Sequence, residues 1–180
     1  MMKCVRMTAS QWFLSMCVVL LCCGSWSPSR ALGNVAEQEG LPGSGLKDVH
    51  DFVYYLRSAA PKAHPNLDLA SSRLDAKKVS AFISSKGVTF VRTETPTSQF
   101  HATRSRVEKE VQARRGATFK SFGHVAYTCA RLNLSDEVIS PVKTGASWRV
   151  TLGNDYVLDF VEEAQHLRLS RVDYISPDGE

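Results

Sequence analysis

Asp173 is the one carboxylate inside an otherwise apolar, strand-like run that leads to Ile175. A carboxyl held among apolar neighbours keeps its proton to higher pH and can act as a general acid or base, provided a second group polarises the substrate. Tyr127 and Tyr156 carry hydroxyls of the right type for that second role. Arg171 lies two residues from Asp173, on the same face of a strand, so a surface ion pair without chemistry explains Asp173 equally well. Trp148, Tyr156 and Phe160 share phase with apolar neighbours and, with Tyr127, are the candidates for the wall of a ligand pocket. The same stripe serves equally as plain core.

Other chemistries lack their residues. The chain contains no Gly-rich phosphate loop, no His-Glu-x-x-His, no paired-cysteine motif and no Gly-x-Ser-x-Gly elbow. His50, His64, His101, His124 and His166 are scattered, and only His50-Asp51 sets a histidine beside an acid, as sequence neighbours that point to different sides of a helix. No metal and no cofactor are expected. Cys4, Cys17, Cys22 and Cys23 all fall in the leader or at its cut, which leaves Cys129 alone in the folded part and rules out an intradomain disulfide. Cys129 reads as a small buried hydrophobe at an alternating position of an apolar strand. The basic stretch Arg104–Arg115 is interleaved with Glu108 and Glu110, the pattern of a solvated helix laced by i,i+4 pairs.

The elements that must position these residues follow from periodicity. Leu46, Val49, Phe52, Val53 and Leu56 predict an amphipathic helix over 46–59, ended by Pro61. Leu74, Val79, Phe82 and Ile83 predict a second helix over 75–84, closed by Gly87. Residues 87–92 form a strand-like run, followed by a polar loop through Pro96. Val107 and Val111 anchor a helix over 104–115 that stops at Gly116. From His124 the chain reads as a β-meander with strands at 123–132, 146–152, 155–161 and 167–175, and Gly153-Asn154-Asp155 makes one of its tight turns. The expected class is α+β: N-terminal helices packed in a curved, mostly antiparallel sheet.

That order resembles the nuclear-transport-factor-two-like superfamily, which includes the ketosteroid-isomerase-like domains. Leu46–Leu56 as the long first helix, Val79–Val91 as helix into strand, and Trp148–Ile175 as the final hairpins carry the resemblance. It covers about 130 residues and rests on element order, not on a diagnostic motif. The resemblance implies a cone-like sheet around the helices, a pocket at its wide end, and a homodimer through the open sheet face, where Val157, Asp159 and Val161 would lie. Another helix-on-sheet sandwich and a cystatin-like fold are the alternatives.

The first residues read as an export signal. Lys3 and Arg6 precede the apolar run Trp12–Leu21, which is about half the length a membrane span requires. Leu20-Leu21-Cys22-Cys23-Gly24-Ser25 resembles a bacterial lipoprotein box that would lipidate Cys23, although Cys22 stands where a small residue is usual. Ala31-Leu32-Gly33 offers a competing cut that would free Asn34. The expected layout is an export signal over 1–23 (or to 33), a Gly/Ser/Pro-rich tether over 24–45 and one domain over 46–180.

The chain has 180 residues and 22 Lys+Arg against 18 Asp+Glu. Three of the cations (Lys3, Arg6, Arg30) and none of the acids sit in the leader, so the remainder carries 19 against 18, which argues against nucleic acid as a partner. Two classes of function stay open. One is an exported, lipid-anchored, non-catalytic module, periplasmic or outer-membrane-associated in a bacterium and otherwise secreted. It would meet the membrane surface through its anchor and bind an envelope protein or a small apolar ligand. The other is a small pocket enzyme of isomerase or hydrolase type using Asp173 with a tyrosine.

Overall fold

A computed structural model describes residues 40–93, 97–132 and 139–175, all within one compact unit, Glu37–Glu180. The export signal, Cys23 and the tether up to residue 39 lie outside the described residues. The fold is α+β, with a six-stranded mixed sheet.

Helix α1 (Gly45–Ser58) buries Val49, Phe52, Val53 and Leu56, the stripe its sequence spacing predicts. Packing begins before it, because Leu41 already lies against the core. A single helical turn, α2 (Pro65–Asp68), runs into a 3-10 turn at Leu69–Ser71. Helix α3 (Ala76–Phe82) follows; Asp75 Oδ1 accepts from the Lys78 N–H at 2.8 Å and caps its start.

Strand β1 (Val88–Arg92) forms a hairpin with β2 (Ser98–Ala102), a strand outside those the sequence pattern predicts. β2 is an edge strand that buries only Ala102 fully, so it carries almost no apolar alternation. Helix α4 (Arg104–Gln112) starts at Thr103, whose hydroxyl accepts from the Arg106 N–H.

The stretch predicted as the first meander strand, 123–132, is instead the second half of helix α5 (Ala117–Arg131). Phe119, Phe122, Val125, Ala126 and Cys129 recur at helical spacing and are all buried. A helix wrapped this fully, and rich in Phe, Val, Tyr and Thr, mimics the composition of a strand. Gly116, read as a stop for α4, is also the N-cap of α5. It has no side chain to cap with, and Glu110 from α4 fills that role by accepting from the Thr118 N–H at 2.8 Å.

The meander is therefore β3 (Val142–Thr144), β4 (Ser147–Leu152), β5 (Tyr156–Glu163) and β6 (His166–Tyr174). The sheet order is β2-β1-β6-β5-β4-β3, antiparallel throughout except for the parallel β1–β6 pair. Trp148, Val150, Leu152, Tyr156, Leu158 and Phe160 all point to the core face, as their alternation predicts. On β6 the buried phase slips from Leu167 and Leu169 to Val172, because a β-bulge sets Phe160 opposite Leu169 but Asp159 opposite Arg171. The extra residue, Ser170, donates its hydroxyl to the Asp159 carbonyl at 3.0 Å. The core closes between this face and helices α1 and α5, with Phe52 edge-on to Phe160 and Phe122 edge-on to Phe90.

Gly87 sits at φ +94° in the turn entering β1, and a Cβ there would lie 2.5 Å from the Ala102 carbonyl oxygen. Gly87→Ala is expected to lower stability by about 2–3 kcal/mol through left-handed strain and that clash. Chemical denaturation should show the midpoint fall with an unchanged slope; an unmoved midpoint would contradict this turn geometry.

Candidate functional site

The residues singled out for acid–base chemistry are not brought together. Asp173 stands opposite Val157 and Val91 on the outer sheet face, and its Oδ1 accepts from Arg171 Nε at 2.7 Å. Tyr156 stands opposite Tyr174, in the alternate phase that faces the core. Tyr127 belongs to α5 rather than to a strand; its ring meets His64 edge-on at 5.4 Å, with the Arg131 guanidinium 5.6 Å from its centroid. The pairing of Asp173 with either tyrosine is thus not assembled. Asp173 instead ends an outer-face row of charge in which Asp159, only 6% exposed, takes two bonds from Arg149 at 2.7 and 3.0 Å.

Trp148 and Phe160 face each other across β4 and β5 as core side chains. Of the predicted aromatic wall, Tyr156 lines a cavity. That cleft lies between β1, β2, β6 and α5, and its aromatic floor is Phe90 stacked on Phe100 at 4.8 Å beside Tyr156 and Tyr174 at 5.3 Å. Arg92, Ser98, Ser121 and His124 complete the rim. The volume is about 40 Å³, room for a water or one group of a ligand, well short of the roughly 300 Å³ that encloses a drug-sized molecule. Burial pushes the Tyr156 phenol up, and the neighbouring Tyr174 adds to the shift. Burial also lowers the His124 imidazole, and the positive groups His64, Arg92 and Lys120 lower it further.

Sequence neighbours gave no hint of a second cluster. Ser44, Asp48 and His166 meet where the start of α1 abuts the β5–β6 turn. Ser44 Oγ donates to the Gln165 carbonyl at 2.6 Å, Asp48 Oδ2 accepts from the Leu167 N–H at 2.9 Å, and His166 Nδ1 lies 3.1 Å from Asp48. The residue types match a serine–histidine–aspartate relay, but hydroxyl and carboxylate both approach the same ring nitrogen. A relay needs them on opposite nitrogens. The cluster instead pins a turn whose Ala164 and Gln165 both adopt positive φ.

Cys129 is sealed in the core, and burial pushes its thiol up to about 12, so it stays protonated and unreactive. Among the described residues no group of three or more His, Cys, Asp or Glu could hold a metal ion, and no helix is long and apolar enough to cross a membrane. No family model matches the chain, and no curated protein or solved structure matches it.

Glu163 ties the segment before β1 to the end of β5, accepting from Ser84 Oγ at 2.6 Å and from the Ser85 N–H at 2.9 Å. Burial alone would raise its carboxyl, but the Ser84 and Ser85 bonds and the Arg104 charge outweigh it and hold the group below its ordinary 4.5. A depressed carboxyl contributes stability that is fully present above the unfolded value and lost as pH falls through the folded one. Stability should therefore decline below about pH 4.5. Glu163→Gln should weaken the fold at neutral pH and flatten that acid limb; an acid limb as steep as in the unaltered protein would remove Glu163 from it.

Proposed function

We propose that the chain is an exported, lipid-anchored binding module without catalytic activity, whose recognition site is the aromatic cleft between β1, β6 and α5. The observation that carries this reading is how the carboxylates are used. Asp48, Asp75, Asp159, Asp173, Glu110 and Glu163 each hold a turn, a cap or an outer-face arginine in place, and none lines the cleft. The cleft offers stacked rings with a rim of hydroxyls, an imidazole and a guanidinium, a lining suited to one apolar group of a small ligand or one side chain of an envelope protein. Helices set against one face of a six-stranded mixed sheet are in keeping with the nuclear-transport-factor-two-like resemblance. The leader, with Lys3 and Arg6 before Trp12–Leu21 and Cys23 two residues after it, supports export and anchoring.

Two measurements test the reading. The intact mass of the protein from its own cells should correspond to residues 23–180 plus acyl chains; a mass beginning at Asn34 would replace the anchor with a soluble, secreted form. Binding of a small fluorescent aromatic probe should fall several-fold in Phe100→Ala, which removes half of a stacked pair, and stay within about twofold in Asp173→Asn. Equal losses in both variants would overturn the assignment of the cleft.

A further inference from the structure

Helix α5 leaves one stripe incompletely buried. Lys120, His124, Tyr127 and Arg131 follow each other by four, three and four residues, so they line one side of the helix. Against this stripe lies the segment entering α2. His64 meets the His124 ring edge-on at 5.6 Å and the Tyr127 ring at 5.4 Å. Its Nδ1 accepts from the Asn66 N–H at 3.3 Å, which places the proton of the neutral ring on Nε2.

Between the two segments runs an open groove of about 420 Å³, lined by Pro65, Asn66, Leu67, Leu69, Lys120 and His124. Close packing fixes its back wall, because Leu69 sits where a Cβ on Gly123 of α5 would be. Leu67 lines it too and is 84% exposed.

Donors and positive charge converge here, and no acid lines the groove among the described residues. The charged groups that act on His124 come from the α2 approach (His64), β1 (Arg92) and α5 itself (Lys120), and every one is a cation when protonated. An anion would reverse that mutual repulsion. The donors are an ammonium, an imidazole and an amide, and a lysine ammonium binds phosphate as a point charge.

We propose that this groove binds a phosphate group carrying an apolar substituent, with Lys120 and His124 holding the oxygens and Leu67 contacting the substituent. The site goes beyond the reading of the aromatic cleft and does not depend on it. Both a lipid headgroup and a soluble phosphate ester present this chemistry.

The test follows the His124 ring by NMR in the full chain, held in neutral detergent, with His124→Gln used to assign the signal. Added inorganic phosphate or glycerol phosphate should raise the His124 titration midpoint above that in sodium chloride of equal ionic strength, because the bound anion favours the protonated ring. Lys120→Gln, a change at an exposed position, should weaken the phosphate affinity at least about tenfold without altering the circular dichroism. Short-chain phosphatidic acid binding at least tenfold tighter than glycerol phosphate, with that advantage lost in Leu67→Ser, assigns the site to a lipid headgroup. Phenyl phosphate binding as tightly as the phosphatidic acid, and both at least tenfold tighter than glycerol phosphate, assigns it to a soluble ester; equal affinities of all three overturn the contact at Leu67. A midpoint that moves no further in phosphate than in chloride, or a Lys120→Gln variant that binds phosphate as the unaltered protein does, overturns the site.

Discussion

The parallel pairing of β1 with β6 joins the two halves of the domain. It sets Phe90 beside Val172 and Arg92 beside Tyr174, residues about eighty positions apart in the chain. Flanking contacts hold it at both ends: the Ser84 N–H donates to the Leu169 carbonyl at 2.9 Å, and the Thr93 hydroxyl donates to the Tyr174 carbonyl at 2.7 Å. Closing so long a loop costs little more than closing a shorter one, since the entropy grows only with the logarithm of length. The main penalty is kinetic, because the loop must close before a pair this distant in sequence can form, which slows folding. Without it the β1–β2 hairpin has no sheet to join and the aromatic cleft has no floor.

The same economy governs the charged groups. Glu110 caps α5 because Gly116 cannot, and Arg106 holds Glu110 from one turn away at 2.7 Å. Asp48 fastens α1 to the β5–β6 turn, and Glu163 fastens the end of β5 to the segment entering β1. Each carboxylate satisfies backbone donors that the fold would otherwise leave open at a helix start or a turn. For Glu110 and Glu163 these bonds hold the carboxyl below its ordinary value and favour its charged form.

What could be read from the sequence divides along physical lines. Helix α1 and the β4–β5 hairpin were legible because each buries one face and exposes the other, so that their periods, 3.6 and 2, stand out. Helix α5 was not, since Phe119, Phe122, Val125, Ala126 and Cys129 cover so much of its circumference that helical and alternating patterns both fit. β2 was missed because an edge strand with one buried residue has no alternation to detect. The bulge at Ser170 does leave a trace, the change from odd to even buried positions between Leu169 and Val172, which a strict period-two reading passes over. The Ser44–Asp48–His166 cluster joins residues more than a hundred positions apart, and no local spacing encodes it. The two-residue spacing of Arg171 and Asp173 places both on one face, and that shared face separates Asp173 from Tyr156.

The misread helix is also what creates the candidate sites. In a strand over 123–132, His124 would share a face with every second residue and lie apart from Tyr127 and Arg131. In a helix, Lys120, His124, Tyr127 and Arg131 fall on one side while Phe119, Phe122 and Cys129 turn to the core. One imidazole can then border both the aromatic cleft beneath β1 and the basic groove beside α2. The partial burial of that ring follows from the close seat of Leu69 on Gly123, which brings the α2 segment down onto the helix. The character of the surface therefore rests on the winding of a single element, against which the Leu69 side chain fills the space a Cβ at position 123 would take.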